Sequence, residues 1–365
     1  MNKSTIHSIS NRLFNTDRIL SIKRMQWVDT LKGVAIILVV YRHVIIGLQR
    51  KELYVPEGLA TANLLFYSFR MPLFFLLSGL FLYRSLKKRK ASSLFESKFA
   101  TLIYPYLVWT IIQITLQILV ADSAVTNSNR GWKDYLYILY QPRELDQFWY
   151  LPALFNATIV YLLLHSVLKL NKTIHILLAI GIYFSSFAFK DISMICDWML
   201  FYPFLLLGAL LSDFFFNENN TARIKKPWLF FAAIPFFILT QYLYLQHDEH
   251  YYTDTVAGKL LFIPISLTGS AMMLLLSFRL EQFSISKAFR VIGFHSLYIY
   301  VMHVQAASLW RTILMKFFGV TDAYVLLFSG IIFSVFVCIC IYNLLIRNGP
   351  LWFLFSYRKK ADEGA

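Results

Sequence analysis

Apolar runs long enough to cross a bilayer follow one another along the chain, separated by short polar segments. A membrane-spanning helix needs about 20 mostly apolar residues, and this pattern predicts ten spans. Their predicted bounds are 27–48, 63–83, 99–121, 148–168, 173–189, 196–214, 228–245, 257–278, 291–315 and 323–346. We therefore expect an all-α polytopic membrane protein, with one transmembrane domain over 27–346 between polar tails at 1–26 and 347–365.

Composition strengthens this prediction. Of the 365 residues, 58% are hydrophobic, 18% are aromatic and only 15% are charged, whereas soluble domains carry roughly a quarter charged residues. The net charge of +15 does not favour a nucleic-acid partner, because the basic residues lie in short loops, where helix orientation and anionic lipid headgroups account for them. The cysteines lack metal-ligand spacing, and we expect them to be packing thiols; they are Cys196, Cys338 and Cys340.

The distribution of lysine and arginine predicts the orientation of the chain. Basic residues are concentrated in alternate loops, most strongly over 84–98. Cytoplasmic loops of membrane proteins carry the excess of Lys and Arg. With an even number of spans, this places both termini in the cytoplasm.

The first span is unusual because it carries four ionisable residues: Asp29, Lys32, Arg42 and His43. Each charged group in mid-membrane costs roughly 2.5–3.5 kcal/mol on insertion scales, so packing alone does not explain them. At 100° per residue, Lys32 and His43 are almost in line, and Asp29 lies within about 60° of both. This stripe of an acid, an amine and an imidazole indicates a functional site. Arg42 lies about 100° from His43 around the helix, so it could pair with a residue on another helix instead of belonging to this site.

Other spans hold further polar candidates, each with a structural alternative. Ser296, Tyr300 and His303 share one face of the ninth span, although His303 would also serve as a hydrogen-bond partner within the bundle. Arg70 precedes Pro72 in the second span and could reach the outer headgroups instead. Trp149 and Tyr150 begin the fourth span, where interfacial aromatic residues are common. No metal site is expected, because the cluster at 247–250 (HDEH) lies in a polar loop.

Four segments resemble motifs of the acyltransferase 3 family of integral membrane O-acyltransferases, in the branch of fucose 4-O-acetylases and exopolysaccharide acyltransferases. The first is 29–43 (DTLKGVAIILVVYRH), where a basic residue precedes a histidine by eleven positions. The others are 69–79 (FRMPLFFLLSG), 148–155 (FWYLPALF) and 293–303 (GFHSLYIYVMH). Two departures are visible, since Lys32 stands where the family more often has arginine, and Thr101 replaces the second arginine of an R-x-x-R motif.

The resemblance implies transfer of an acyl group, most simply acetyl, from acyl-CoA to a sugar hydroxyl of a cell-surface or lipid-linked glycan such as an exopolysaccharide or O-antigen. Acyl-CoA would be a co-substrate, with no permanently bound cofactor, and the protein would lie in the bacterial inner membrane in contact with its lipids. A transporter or flippase for a glycan or its lipid-linked precursor is the alternative, because buried charges also mark transport paths.

The resemblance also implies roles for individual residues. His43 would be the general base. Asp29 and Lys32 would position His43 indirectly or contact the pantetheine and phosphate portion of the donor. Coenzyme A would bind to basic residues near the cytoplasmic ends of spans two and three: Lys87, Lys88, Arg89 and Lys98. The acceptor or the oxyanion would contact residues from several spans: Arg42, Arg70, Ser78, Trp149, Tyr150, Ser296, Tyr300 and His303.

Overall fold

The computed structural model describes residue 8 and residues 11–21, 25–120, 130–247, 251–347 and 349–357; these ranges are mostly helical, with turns and loops between the helices, and contain no strand. The α-helices, in chain order, are α1 (Thr16–Ser21), α2 (Gln26–Gln49), α3 (Glu57–Leu86), α4 (Ala91–Lys98), α5 (Tyr104–Leu119), α6 (Tyr137–Tyr140), α7 (Tyr150–Leu162), α8 (Lys172–Ser185), α9 (Ser193–Phe215), α10 (Glu218–Ile224), α11 (Pro227–Leu245), α12 (Tyr251–Asp254), α13 (Val256–Leu280), α14 (Ser286–Phe294), α15 (Ser296–Phe318) and α16 (Ala323–Ile341).

Wider and tighter helical turns connect or extend these helices. The π-helical turns are Phe99–Ile103, Leu163–Val167 and Tyr342–Ile346. The 3₁₀ turns are Trp132–Leu136, Pro142–Trp149, Ser186–Phe189 and Trp352–Leu354. Because the π turn at Phe99–Ile103 joins α4 to α5, these three segments form one span.

Within the described ranges, nine helical segments are long and apolar enough to cross a membrane. They are Gln26–Gln49, Glu57–Leu86, Ala91–Leu119, Pro142–Val167, Lys172–Phe189, Ser193–Phe215, Pro227–Leu245, Val256–Leu280 and Ala323–Ile346. The predicted all-α polytopic fold is confirmed. The topology of the termini stays a prediction.

The remaining predicted span, 291–315, is not one continuous helix. It is divided into α14 and α15 at His295, whose backbone (φ −89°, ψ 7°) leaves the α-helical range. The imidazole of His295 is fully buried, and its Nδ1 donates to the carbonyl oxygen of Val291 over 2.7 Å. At 23 residues, α15 is about 35 Å long and could cross a bilayer, but His303, Gln305 and Arg311 lower its mean hydropathy.

The chain folds as two compact units, and the first comprises 1–63, 104–135 and 280–365. In its described part, α2 packs against α14, α15 and α16. The α2–α14 contact is made by main chain: a Cβ atom added at Gly33 would lie 2.1 Å from the carbonyl oxygen of Phe289. This close approach is possible because glycine has no side chain.

The second unit comprises 64–103 and 136–279. Here α9 packs against α7 and α8, and glycines bring α9 against the backbone of α3. A Cβ atom at Gly79 would lie 1.9 Å from the carbonyl oxygen of Leu205, and one at Gly208 would lie 2.0 Å from that of Leu76. The rings of Phe75 and Phe201 stack beside this crossing with centroids 5.0 Å apart.

Candidate active site

Two histidines of the first unit lie together in its interior. The imidazole of His43 on α2 meets that of His303 on α15 edge-on, with ring centroids 5.0 Å apart and planes at 67°. His303 is fully buried and His43 is half-buried. Each histidine comes from its own helix, and direct packing of α2 on α15 holds the two rings in contact.

Hydrogen bonds to main chain fix the protonation pattern of His303. Its Nδ1 lies 2.8 Å from the carbonyl oxygen of Tyr300 and 3.0 Å from that of Ile299. A carbonyl oxygen can only accept a hydrogen bond, so Nδ1 carries the proton. Nε2 is therefore the basic nitrogen of the neutral ring.

Tyr300 and Ser296 lie on α15 before His303. The buried ring of Tyr300 is 6.2 Å from that of His303, centroid to centroid. Ser296 is half-buried and lies seven residues before His303, which is about 10 Å along the helix axis. Of these two predicted residues, Tyr300 is the neighbour of the histidine pair.

Asp29 and Lys32 occupy the other end of α2. Lys32 and His43 are eleven positions apart on one continuous helix, a rise of about 16 Å. Asp29 is buried, and a Cβ atom at Gly293 would lie 1.8 Å from the Asp29 carbonyl oxygen. These residues therefore lie at the α2–α14 crossing. Arg42 is half-buried on α2 beside His43.

A pair of amide side chains that the sequence analysis missed also lies in the first unit. Gln305 Nε2 on α15 donates to Gln113 Oε1 on α5 over 2.7 Å, and Gln113 is buried. Thr110, Gln113 and Gln117 are all buried at intervals of three and four residues on α5. That spacing places them on one face of α5. Polar residues at helical intervals within an apolar span are the sequence signal that could have revealed this face.

In the second unit, the predicted residues Ser78 and Tyr150 are joined by a side-chain hydrogen bond. The ring of Tyr150 also meets Phe75 edge-on, with centroids 5.4 Å apart. Arg70 is buried on α3, two residues before Pro72. The unit therefore brings Ser78 and Tyr150 together as a polar pair next to an aromatic ring.

Trp149 is held by an ion pair that the sequence analysis also missed. The guanidinium of Arg143 lies over its ring, 4.3 Å from the centroid. Arg143 Nε donates to Asp197 Oδ1 over 2.6 Å, and the Asp197 side chain is 2% exposed. The backbone of Asp146 has a positive φ of 59°, which turns the chain between Arg143 and Trp149.

The sequence model of the acyltransferase 3 family, described as an acyltransferase domain, matches residues 25–343. The chain belongs to this family. It is therefore a membrane acyltransferase, which favours the acyltransferase interpretation over the transporter or flippase. No curated protein and no solved structure matches the chain.

In this acyltransferase, the turn between α3 and α4 carries the basic residues predicted to bind coenzyme A. Lys87, Lys88 and Arg89 are exposed there, and Lys98 is half-buried at the end of α4. Lys87 Nζ lies 2.6 Å from Asp213 Oδ1. This hydrogen bond to Asp213 raises the pKa of the exposed lysine. One of the four cations predicted to bind coenzyme A is therefore already paired with a carboxylate.

Thr101 lies in the π-helical turn Phe99–Ile103 of the acyltransferase. Its hydroxyl donates to the carbonyl oxygen of Ser97 over 2.8 Å. A side chain directed back to its own helix satisfies one of the carbonyl groups near the irregular turn. Thr101 therefore has a local structural contact at the position where the family motif carries a second arginine.

Proposed function

We propose that this acyltransferase transfers an acetyl group from acetyl-CoA to a sugar hydroxyl of a cell-surface or lipid-linked glycan at the bacterial inner membrane. The observation that carries the proposal is the contact between His43 and His303, with ring centroids 5.0 Å apart. Transfer of an acyl group to a hydroxyl needs a base for the hydroxyl proton. A pair of histidines at the junction of two buried helices supplies that base.

The proposed reaction is direct transfer with His43 as general base. His43 takes the proton of the acceptor hydroxyl as its oxygen attacks the thioester carbonyl carbon. The carbonyl oxygen becomes an oxyanion, and donors around it lower the barrier. When this intermediate collapses, the carbon–sulfur bond breaks, the ester is formed, and the coenzyme A thiolate takes the proton from His43.

His303 supports this step through its fixed tautomer. Because Nδ1 donates to the carbonyl oxygens of Ile299 and Tyr300, the side of the ring at Nε2 is basic. A neutral imidazole in contact with His43 stabilises the imidazolium that forms during proton transfer. His303 is thus proposed as the residue that orients and stabilises the general base.

In the first unit, Asp29 and Lys32 are proposed to position His43 indirectly or to contact the donor. The phosphates of coenzyme A need positive charge, and in the second unit the exposed Lys88 and Arg89 and the half-buried Lys98 offer it. Acceptor binding by Arg42, Arg70, Ser78, Trp149, Tyr150, Ser296 and Tyr300 stays a prediction.

Substitution of His43 tests the proposal. Purified His43→Ala and His43→Gln proteins are compared with wild type for transfer of radiolabelled acetyl from acetyl-CoA to membrane glycans. We expect transfer to fall by about 10²–10⁴-fold, the usual contribution of a general base. His247→Ala is the matched control, because His247 is exposed at the end of α11. Transfer at the wild-type rate by both His43 variants would reject the assignment.

A further inference from the structure

Three basic residues lie near each other at the end of the first unit opposite to Lys32. Arg50 and Lys51 follow the last residue of α2, and Arg311 lies on α15. Leu48 at the end of α2 belongs to a core cluster against which Leu314 and Met315 of α15 pack. The packing therefore brings the α2 terminus next to the turn of α15 that follows Arg311.

Arg311 is an arginine in the interior. Arg311 is only 5% exposed, and its Nη2 donates a hydrogen bond to Ser308 Oγ over 3.1 Å. Arginine is always charged, and its planar guanidinium binds phosphate and carboxylate through two parallel hydrogen bonds. A buried guanidinium within a long apolar unit marks a functional site by default.

The three cations act on one another. Arg50 is close enough to Arg311 for the two positive charges to repel each other. Burial lowers the pKa of Lys51, and the positive charge of Arg311 lowers it further. Nearby carboxylates include Glu52, which is exposed, and Asp322, whose Oδ1 accepts a hydrogen bond from the Val325 amide at the start of α16. Positive charge concentrated at one place attracts anionic groups.

The cluster is aligned with the histidine pair. His303, Ala307 and Arg311 follow one another at intervals of four residues on α15, which places them along one ridge of the helix. His303 and Arg311 are eight positions apart, a rise of about 12 Å. The buried Ala307 lies between them, so only a methyl side chain fills that turn of the ridge.

We propose that Arg50, Lys51 and Arg311 bind an anionic group of the acceptor, a phosphate or a carboxylate, and so hold its reactive hydroxyl near His43 and His303. The acceptor is then an acidic glycan or a sugar attached to a lipid through phosphate. The inference rests on the proposed function, because it assigns the anion to the acceptor of the acetyl group.

Anion binding tests the proposal without any need for acetyl transfer. Binding of inorganic pyrophosphate and of glucuronate is measured by calorimetry on the purified full chain in phosphatidylcholine nanodiscs. We expect Arg311→Gln to weaken binding of at least one probe about tenfold, and Arg311→Lys to weaken it less because it keeps the charge. Lys316→Gln is the matched control, since Lys316 is an exposed cation on the same helix.

A second variant covers a failure of Arg311→Gln to fold. The double substitution Arg50→Gln/Lys51→Gln changes the residues that follow α2 and leaves its helix intact, and it too should weaken binding about tenfold. Affinities equal to wild type in the double variant and in every folded Arg311 variant would overturn the proposal. Equal weakening by Lys316→Gln would overturn it as well, because the effect would then follow net charge alone.

The two probes and the bilayer distinguish the source of the anion. Preferential binding of pyrophosphate supports a phosphate-linked acceptor, and preferential binding of glucuronate supports an acidic sugar. If phosphatidylglycerol added to the nanodisc displaces the probe, the ligand is a membrane lipid and the assignment to the acceptor is wrong. His43→Ala should bind the probe like wild type, so loss of acetyl transfer and loss of anion binding are read separately.

Discussion

Gly293 of α14 lies directly against the backbone of Asp29 in α2: a Cβ atom at this glycine would be 1.8 Å from the Asp29 carbonyl oxygen and 2.9 Å from the Gly33 amide nitrogen. Gly33 makes the reciprocal approach to Phe289. The glycines of the first and last sequence motifs therefore meet in space. Their shared role is to allow two helix backbones to touch at the level of Asp29 and Lys32.

Gly293→Ala tests this contact. The added methyl group must push α2 and α14 apart, and overpacking of this kind costs about 1–3 kcal/mol. We expect a lower unfolding temperature and reduced acetyl transfer, measured by thermal unfolding and by the labelled-acetyl assay. Gly58→Ala is the control, because nothing lies within 4 Å of a Cβ atom there. Equal behaviour of the two variants would show that the crossing tolerates a side chain.

Substitutions of His303 separate its two nitrogens. His303→Asn keeps a donor near the position of Nδ1 but removes the basic Nε2, whereas His303→Gln places an amide near Nε2. Since the proposed role needs a basic Nε2, we expect kcat to fall at least about tenfold in both, with KM for acetyl-CoA unchanged. Steady-state kinetics measure this. Wild-type kcat in His303→Asn would assign His303 a structural role.

The amide pair between Gln305 and Gln113 should contribute to folding of the first unit. Replacing Gln305 by leucine removes the hydrogen bond from a buried Gln113, and loss of such a partner costs about 1–3 kcal/mol. The double variant Gln113→Leu/Gln305→Leu should lose less stability than the two single variants combined. A double-mutant cycle of unfolding free energies measures the difference. Strict additivity would contradict coupling between the two amides.

The ion pair of Arg143 and Asp197 should control the position of Trp149 in the second unit. Asp197→Asn weakens the pair, and Arg143 is 35% exposed, so we expect a modest loss of about 1–2 kcal/mol in unfolding free energy. Because Arg143 lies over the Trp149 ring, Trp149 fluorescence should also change, as seen by comparison with a Trp149→Phe background. Asp191→Asn at an exposed position is the control.

The pair of Lys87 and Asp213 predicts how acetyl-CoA binding responds to a charge change. The hydrogen bond to Asp213 raises the pKa of Lys87, so the lysine keeps its charge to a higher pH than a free lysine does. Any stabilisation by the pair is present below the ordinary lysine pKa and is lost as pH rises through the higher folded value. Asp213→Asn should release Lys87 and lower KM for acetyl-CoA about twofold. An unchanged KM in this variant would remove Lys87 from the proposed donor site.

The sequence predicted the helical fold well because long apolar runs dictate membrane helices. It also singled out His43 and His303, since ionisable groups in apolar spans are conspicuous. The division of α14 from α15 was missed because a buried histidine bonded to the preceding turn breaks the helix, and hydropathy does not detect such a contact. Arg143 was missed because it lies in a polar connection, where a charged residue is not unusual. Gln305 was missed because its partner Gln113 is distant in sequence.

The hydrogen bonds of His303 have a consequence for repeated turnover. Its Nδ1 proton is held by two carbonyl oxygens of its own helix, so rotation of the ring would break both bonds inside an apolar interior. The tautomer of His303 therefore stays the same while His43 takes and returns the proton of the acceptor. The neighbour of the general base is then already in place for the next acceptor, and the enzyme needs no step that resets it.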